Sequence, residues 1–259
     1  MGLVIAEATL GDHARSGQFE RNFPMKLVIG LVAGASALCL ASSAFAAPPP
    51  PIAPGDGAFT VLFFKSDHRA VAVAAVTAFM KSTPTSKALA SGVCVSRTNA
   101  TDFLTYGTYA NFEDLLTTRS VMPSAETLAL WKLQYRAHFK PLIPFTSPDG
   151  KTVEHFFRFS VPTNNTDAFA QAAAKLSAQL AADNKGASLL VAMPVGGGED
   201  EANVMHVRMI YPDNKSLGMA LDNFFKGGKA GVPFREMRAL ATGMIGNIED
   251  CEQFPIAQK

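Results

Sequence analysis

One order of hydrophobic patterns runs through this chain twice, and that repetition narrows the choice of fold more than any other feature. The first copy opens with AFTVLFFK (58–65), a strand rich in Phe and Val. Asp67 can cap a helix in which Val73, Val76, Phe79 and Met80 supply an apolar face at helical spacing. GVCVS (92–96) and DFLTYGTY (102–109) read as two strands joined by a turn, and Asn111 can cap FEDLLTTR. Ser124 then stands before a longer helical pattern, AETLALWKLQYRAHF, and PLIPF (141–145) reads as a short edge strand, where prolines are tolerated.

The second copy keeps the order. VEHFFRFSV (153–161) is its opening strand, Asp167 precedes an alanine-rich helix, and ASLLVAM (187–193) and NVMHVRMIY (203–211) are its next strands. KSLGMALDNFF and PFREMRALATGMIG follow as helical segments. Phe63-Phe64-Lys65 answers Phe156-Phe157-Arg158, Tyr109-Ala110-Asn111 answers Tyr211-Pro212-Asp213, and Met122-Pro123 answers Val232-Pro233. The offset between the copies grows in two steps, at GGGEDE (196–201) and GGKAG (227–231), and glycine-rich loops are where a duplicated fold tolerates insertion.

The N-terminal region reads as export machinery. From Met25 the chain has a basic start, an apolar run from Leu27 to Leu40, and Ala44-Phe45-Ala46, which together make a signal peptide cleaved between Ala46 and Ala47. The polar residues 1–24 precede a ready start at Met25 and are read as an upstream, non-structural extension; a processed pro-segment is the alternative. Residues 47–57 form a proline-rich tether, 58–150 the first repeat and 151–259 the second. The expected product is periplasmic or secreted, with no membrane partner once the signal is gone. Cys94 and Cys251 remain after cleavage and are a disulfide candidate in an oxidising compartment; two separate buried thiols are the other reading. With 23 Lys and Arg against 22 Asp and Glu, nothing recommends nucleic acid as a partner.

A β-α-β-β-α unit of this length is the ferredoxin-like pattern, and its sheet has one face left to cover. The chain therefore resembles a tandem member of the dimeric α/β-barrel superfamily. The resemblance covers roughly residues 57–256 and rests on element order and spacing. It implies an α+β fold in which two ferredoxin-like repeats pack their antiparallel sheets face to face as a pseudo-dimeric barrel. It also implies a choice among cofactor-free monooxygenases, small isomerases and dehydratases, heme enzymes and stress proteins, which fold alone does not make.

In that fold 153–161 lies beside 203–211. The more apolar faces, His155/Phe157/Phe159 and Met205/Val207/Met209, should meet the helices, so Glu154, Arg158, Ser160, His206 and Arg208 should gather on the side facing the other half. Buried charges of this kind must pair with one another, hold water or bind a ligand. As an enzyme, the chain would use His206 as general acid or base, Arg208 and Arg158 as an anion clamp, and Glu154 as their orienting partner. The matching face of the first half is expected to carry Thr60, Leu62 and Phe64, with either Phe103/Thr105 or Leu104/Tyr106. Tyr106 is the polar tip of this apolar wall, suited to a small apolar acid or aromatic ligand between the repeats. No cofactor and no metal site is expected. The alternatives are a non-catalytic binding or stress-response module whose polar cluster is structural, and a heme-dependent barrel for which His138 and His206 are the axial candidates. GGGEDE reads as an exposed hairpin tip, and homo-oligomerisation is left open.

Overall fold

A computed structural model describes residues 57–82, 87–118, 129–146 and 148–255. The signal segment, its cleavage site, Ser124 and all of the tether except Gly57 lie outside the described residues. In chain order the elements are β1 (Ala58–Lys65), α1 (Arg69–Ser82), β2 (Ala88–Ser96), β3 (Asp102–Tyr109), α2 (Phe112–Thr117), β4 (Leu133–Pro141) and β5 (Gly150–Ser160). They continue with α3 (Thr166–Asp183), β6 (Ser188–Gly196), β7 (Val204–Tyr211), α4 (Asn214–Phe225), α5 (Gly231–Ala239) and β8 (Gly243–Pro255).

The eight strands close into one antiparallel barrel in the order β1-β3-β2-β8-β5-β7-β6-β4. Within it the first half runs β4-β1-β3-β2 and the second β8-β5-β7-β6, which is one order used twice. Each half's last strand pairs with the other half's second strand, β4 with β6 and β8 with β2. Closure leaves no free edge, the usual liability of a sheet. Alternation along every strand then separates an inner wall from an outer wall that meets the helices. Phe59, Val61, Leu104, Ala137, Phe139, Leu190 and Ile210 fill the inside. Outside, Phe157, Phe159, Val207 and Met209 pack on Phe169, Leu176 and Leu180 of α3, while Phe64, Phe103 and Val93 pack on Val76 of α1.

Two caps show how similarly the halves turn. Asn111 accepts a hydrogen bond from the backbone N–H of Asp114 at 2.7 Å, and Asp213 accepts one from Ser216 at 2.7 Å. Both caps are extended, at φ −161°, and each follows the third strand of its half. Asp67, expected to cap α1, instead pairs with Lys132, and just before the helix the Ser66 hydroxyl accepts from the N–H of His68.

Three expectations are corrected. The helix expected through residues 125–139 gives way to a strand: the helical stretch ends at Trp131, Lys132 takes φ 36°, and β4 begins at Leu133. LQYRAHFKP alternates, with Tyr135, Ala137 and Phe139 inward, and pairing with both β1 and β6 outweighs the helical propensity of the isolated segment. Trp131 and Phe139, both within that expected helix, therefore belong to separate cores. PLIPF is not an edge strand; Pro141 ends β4 and Phe145 enters the barrel core. Finally, the helix expected over 233–246 stops at Ala239, and Gly243–Pro255 is the eighth strand, on which Asn247, Glu249, Cys251 and Gln253 share one face.

The inward face of the first half is also the opposite of the expected one on β1. Phe59, Val61 and Phe63 point inward with Leu104 and Tyr106, whereas Leu62 and Phe64 meet α1 and Trp131. Tyr106 fits because position 92 is Gly: a Cβ there would come within 2.5 Å of the tyrosine ring. Cys94 lies directly opposite Cys251 where β2 meets β8, and the two form a disulfide that staples the first half to the second across a sequence separation of 157. A loop of that length corresponds to about 5 kcal/mol in the chain-entropy description.

Candidate functional site

The polar residues inside the barrel form two groups on β5, β7 and β8. In the first, Arg208 Nη1 donates to Glu154 Oε2 at 2.7 Å and to Glu249 Oε2 at 2.8 Å, all three buried. The guanidinium also lies over the Phe156 ring at 4.2 Å. Asn247 donates to the other oxygen of Glu249 at 3.1 Å. Burial raises the Glu154 carboxyl above its usual range, with Arg208 opposing, and the two carboxylates push Arg208 further up against the downward pull of burial. Cys94, Cys251, Glu154 and Glu249 bring four potential metal-ligand atoms within 4.8 Å of one another, but the sulfurs are bonded to each other and Arg208 is the cation the carboxylates hold.

In the second group His206 is fully buried among Phe63, Phe139 and Phe156, and its Nε2 lies 2.8 Å from Glu201 Oε2. Arg158 reaches Glu201 Oε1 at 3.3 Å and the Asp200 carbonyl, and Tyr135 lies near enough for the same carboxylate to help push its hydroxyl up. Burial pulls His206 down to about 4, against the pull of Glu201 the other way, so the ring is neutral at pH 7 and donates from Nε2. Burial works against the ionised Glu201, but its hydrogen bond from His206 leads the opposing effects and leaves the carboxyl below its usual value.

Glu154 and Arg208 thus meet directly, and Arg158 and His206 meet through Glu201. Ser160 sits exposed at the end of β5, apart from both groups. Tyr106 donates to Gln253 at 3.2 Å and borders, with Glu154 and Arg208, a void of only about 30 Å³. Sequence reasoning missed Glu249, Tyr135 and Glu201. The first two were readable from the alternation of β8 and β4. Glu201 was not, because it belongs to GGGEDE, expected to be an exposed tip. The loop folds back so tightly that a Cβ at Gly197 would lie 2.8 Å from both Ala137 and Glu201, and this carries Glu201 into the barrel.

A larger space lies on the other side of the sheet. Between β5, β7 and helices α3, α4 and α5 is a mostly enclosed cavity of about 260 Å³, walled by Phe157, Leu176, Leu180, Met209, Phe224 and Phe234. His155 is in its wall, its ring 4.0 Å from Phe157 and its Nδ1 without a hydrogen-bond partner. Burial holds His155 down to about 4, so it presents a neutral imidazole. Tyr211, Asp183, Asn184 and Asn223 are the other residues of the lining with polar side-chain groups, and neither Lys nor Arg lines it. Neither heme candidate fits a cofactor site: His206 is engaged with Glu201 inside the barrel, and His138 is a half-buried residue of β4 beside Gly196; neither lines this cavity.

No protein-family model matches the chain, and no curated protein matches it in sequence. Solved structures do match in fold. An anthrone oxidase-like protein superimposes with a TM-score of 0.61 at 13% identity, over 80% of this chain and 97% of its own. A candidate monooxygenase from Fusobacterium nucleatum gives 0.59 at 12% identity, over 78% and 95%. Another from Lactobacillus acidophilus gives 0.55 at 12%, over 76% and 94%. The fold is that of the dimeric α/β barrel.

Two outcomes follow from the buried charges. Arg208→Met should cost about 3–5 kcal/mol in denaturant unfolding, because it strands two buried carboxylates, and adding Glu154→Gln and Glu249→Gln should recover most of the loss. Both His155 and His206 sit near 4 in the folded chain against an ordinary 6.5. The unfolded chain therefore binds more protons between those values, and stability should fall by a few kcal/mol as pH drops from about 6.5 to 4. His155→Phe should remove part of that slope, which unfolding midpoints across the range would measure.

Proposed function

We propose that this is an exported, periplasmic or secreted protein of two ferredoxin-like repeats, residues 58–150 and 151–259, that binds a small, largely apolar molecule between the sheet and helices of its second repeat. The observation that carries this reading is the apolar cavity of about 260 Å³, whose lining includes His155, a histidine with a buried Nδ1 that has no hydrogen-bond partner. Binding sites are mostly apolar with a few fixed polar groups, and this cavity has that composition.

The ligand is a neutral molecule bearing a hydroxyl, not the acid expected from the sequence. A neutral His155 offers an acceptor at Nδ1, whereas the arginines expected as an anion clamp are inside the barrel and held by Glu154, Glu249 and Glu201. The barrel cluster is structural in this reading, since its carboxylates meet their partners within the barrel and His206 lines neither cavity described above.

Cofactor-free oxygenation is the chemistry we assign to the same cavity, supported by the oxidase-like and monooxygenase descriptions of the fold's neighbours. An electron-rich, enolisable aromatic would give up its proton and reduce dioxygen directly; for anthrone, one dioxygen yields anthraquinone and one water. His155 would orient the enolic hydroxyl.

Calorimetry with 1-naphthol and oxygen uptake with anthrone test the two parts. Binding should be abolished by Ala220→Phe, which fills the cavity, with the circular dichroism spectrum unchanged, and weakened roughly fivefold to tenfold by His155→Leu. Equal binding by wild type and Ala220→Phe would move the ligand elsewhere. Anthrone turnover without naphthol-competitive inhibition would remove the oxygenation from this cavity.

A further inference from the structure

The turn between α4 and α5 is the most conspicuous apolar surface of the described chain. Phe225 is 82% exposed, Val232 in the first turn of α5 is 51% exposed, and Phe225 also lines the cavity mouth with Met244, itself 38% exposed. Phe224 next to it is packed against Phe234 at 5.2 Å, so the chain turns one phenylalanine in and the other out.

The turn has a fixed shape. Gly227 sits at φ 85°, and Gly228 donates to the Asn223 carbonyl at 2.7 Å, so close that a Cβ at Gly228 would lie 2.6 Å from that oxygen. An exposed phenylalanine on a rigid turn loses little conformational freedom on docking.

The turn itself carries only positive charge, with acidic residues at its margins, Asp222 before it and Glu236 after Arg235. From Asn223 to Phe234 the chain carries Lys226 and Lys229 and no acidic residue, and Arg235 follows. Both lysines are exposed, and the one ion pair here, Lys226 to Asp222, spans 3.9 Å between exposed groups and is worth little in water. Aromatic and aliphatic side chains beside lysines, on a turn that opens onto an apolar cavity, suit the boundary between lipid headgroups and acyl chains.

We propose that the α4–α5 turn seats on an anionic lipid surface, with Phe225 and Val232 entering the headgroup boundary and Lys226 and Lys229 facing lipid phosphates. The docked turn sets the cavity mouth against the bilayer, from which an apolar ligand enters without crossing water. This rests on the cavity as the ligand site, and it replaces the expectation of no membrane partner with a peripheral one. None of the described helices is long and apolar enough to span a bilayer.

Co-sedimentation of the processed chain with phosphatidylcholine vesicles, with and without phosphatidylglycerol, is the test. Binding should require phosphatidylglycerol and fall as salt is raised. Near an anionic surface each lysine contributes roughly fivefold in affinity, so Lys226→Gln/Lys229→Gln should weaken binding by about 25-fold. Phe225→Ser should weaken it further at every salt concentration. The double lysine variant should bind 1-naphthol in vesicle-free buffer as the wild type does. Equal vesicle binding by wild type and the lysine variant, or none by either, overturns the proposal. A dimer in sedimentation velocity that Phe225→Ser dissolves would also overturn it, assigning the surface to a second copy. Vesicle binding without naphthol binding would leave the lipid surface standing and remove the cavity reading alone.

Discussion

The Arg208 guanidinium, held between Glu154 and Glu249 at the centre of the barrel, is the constraint on which the rest depends. A charge trio of this kind is stable in a low-dielectric interior only when its members stay together and water stays out. The barrel must therefore be closed and filled. Closure is supplied by the seams between the halves, one of them pinned by the Cys94–Cys251 disulfide beside Arg208. Filling is supplied by Phe59, Phe139, Phe156 and their neighbours. Beside Arg208 and Glu154 the filled barrel leaves a void of only about 30 Å³; an open cleft of about 560 Å³ reaches Arg158 and Glu249, and the apolar cavity of about 260 Å³ lies on the outer face.

The halves share a strand order but divide the work. The first contributes an apolar inner wall and a helix, α1, packed through Ala72 and Val76 on the outer face. The second contributes most of the buried charge inside and, outside, three helices that do not fully close over β5 and β7. The glycine-rich insertions that distinguish the second half serve both: one folds Glu201 into the barrel to meet His206, and the other forms the turn beside the cavity mouth.

The sequence carried the first three strands and first helix of each half and, in the second half, the faces of β5 and β7. Strict alternation in 203–211 put His206 and Arg208 on one side and Met205, Val207 and Met209 on the other, and the structure places them so. It carried less where local preference and tertiary pairing disagree. Leu133–Pro141 looks helical alone and is a strand because two neighbours demand pairing, and Gly243–Pro255 was hidden behind a helical pattern that its glycines interrupt. On β1 the inward face was ambiguous because Phe occurs on both sides. The proposed ligand position was not legible for a physical reason: the conspicuous charged residues pair with one another through Glu154, Glu201 and Glu249, whereas His155 is a lone histidine set in an apolar wall and assigned to the helix-facing side.

Histidine side-chain nitrogens report most directly on which of these places meets a ligand. In ¹⁵N-histidine spectra at neutral pH, with His155 assigned through His155→Phe, 1-naphthol should shift the Nδ1 resonance of His155 as it accepts the hydroxyl. The buried His206 should stay neutral and unmoved. A shift at His206 with His155 unchanged would place the ligand inside the barrel and contradict the account.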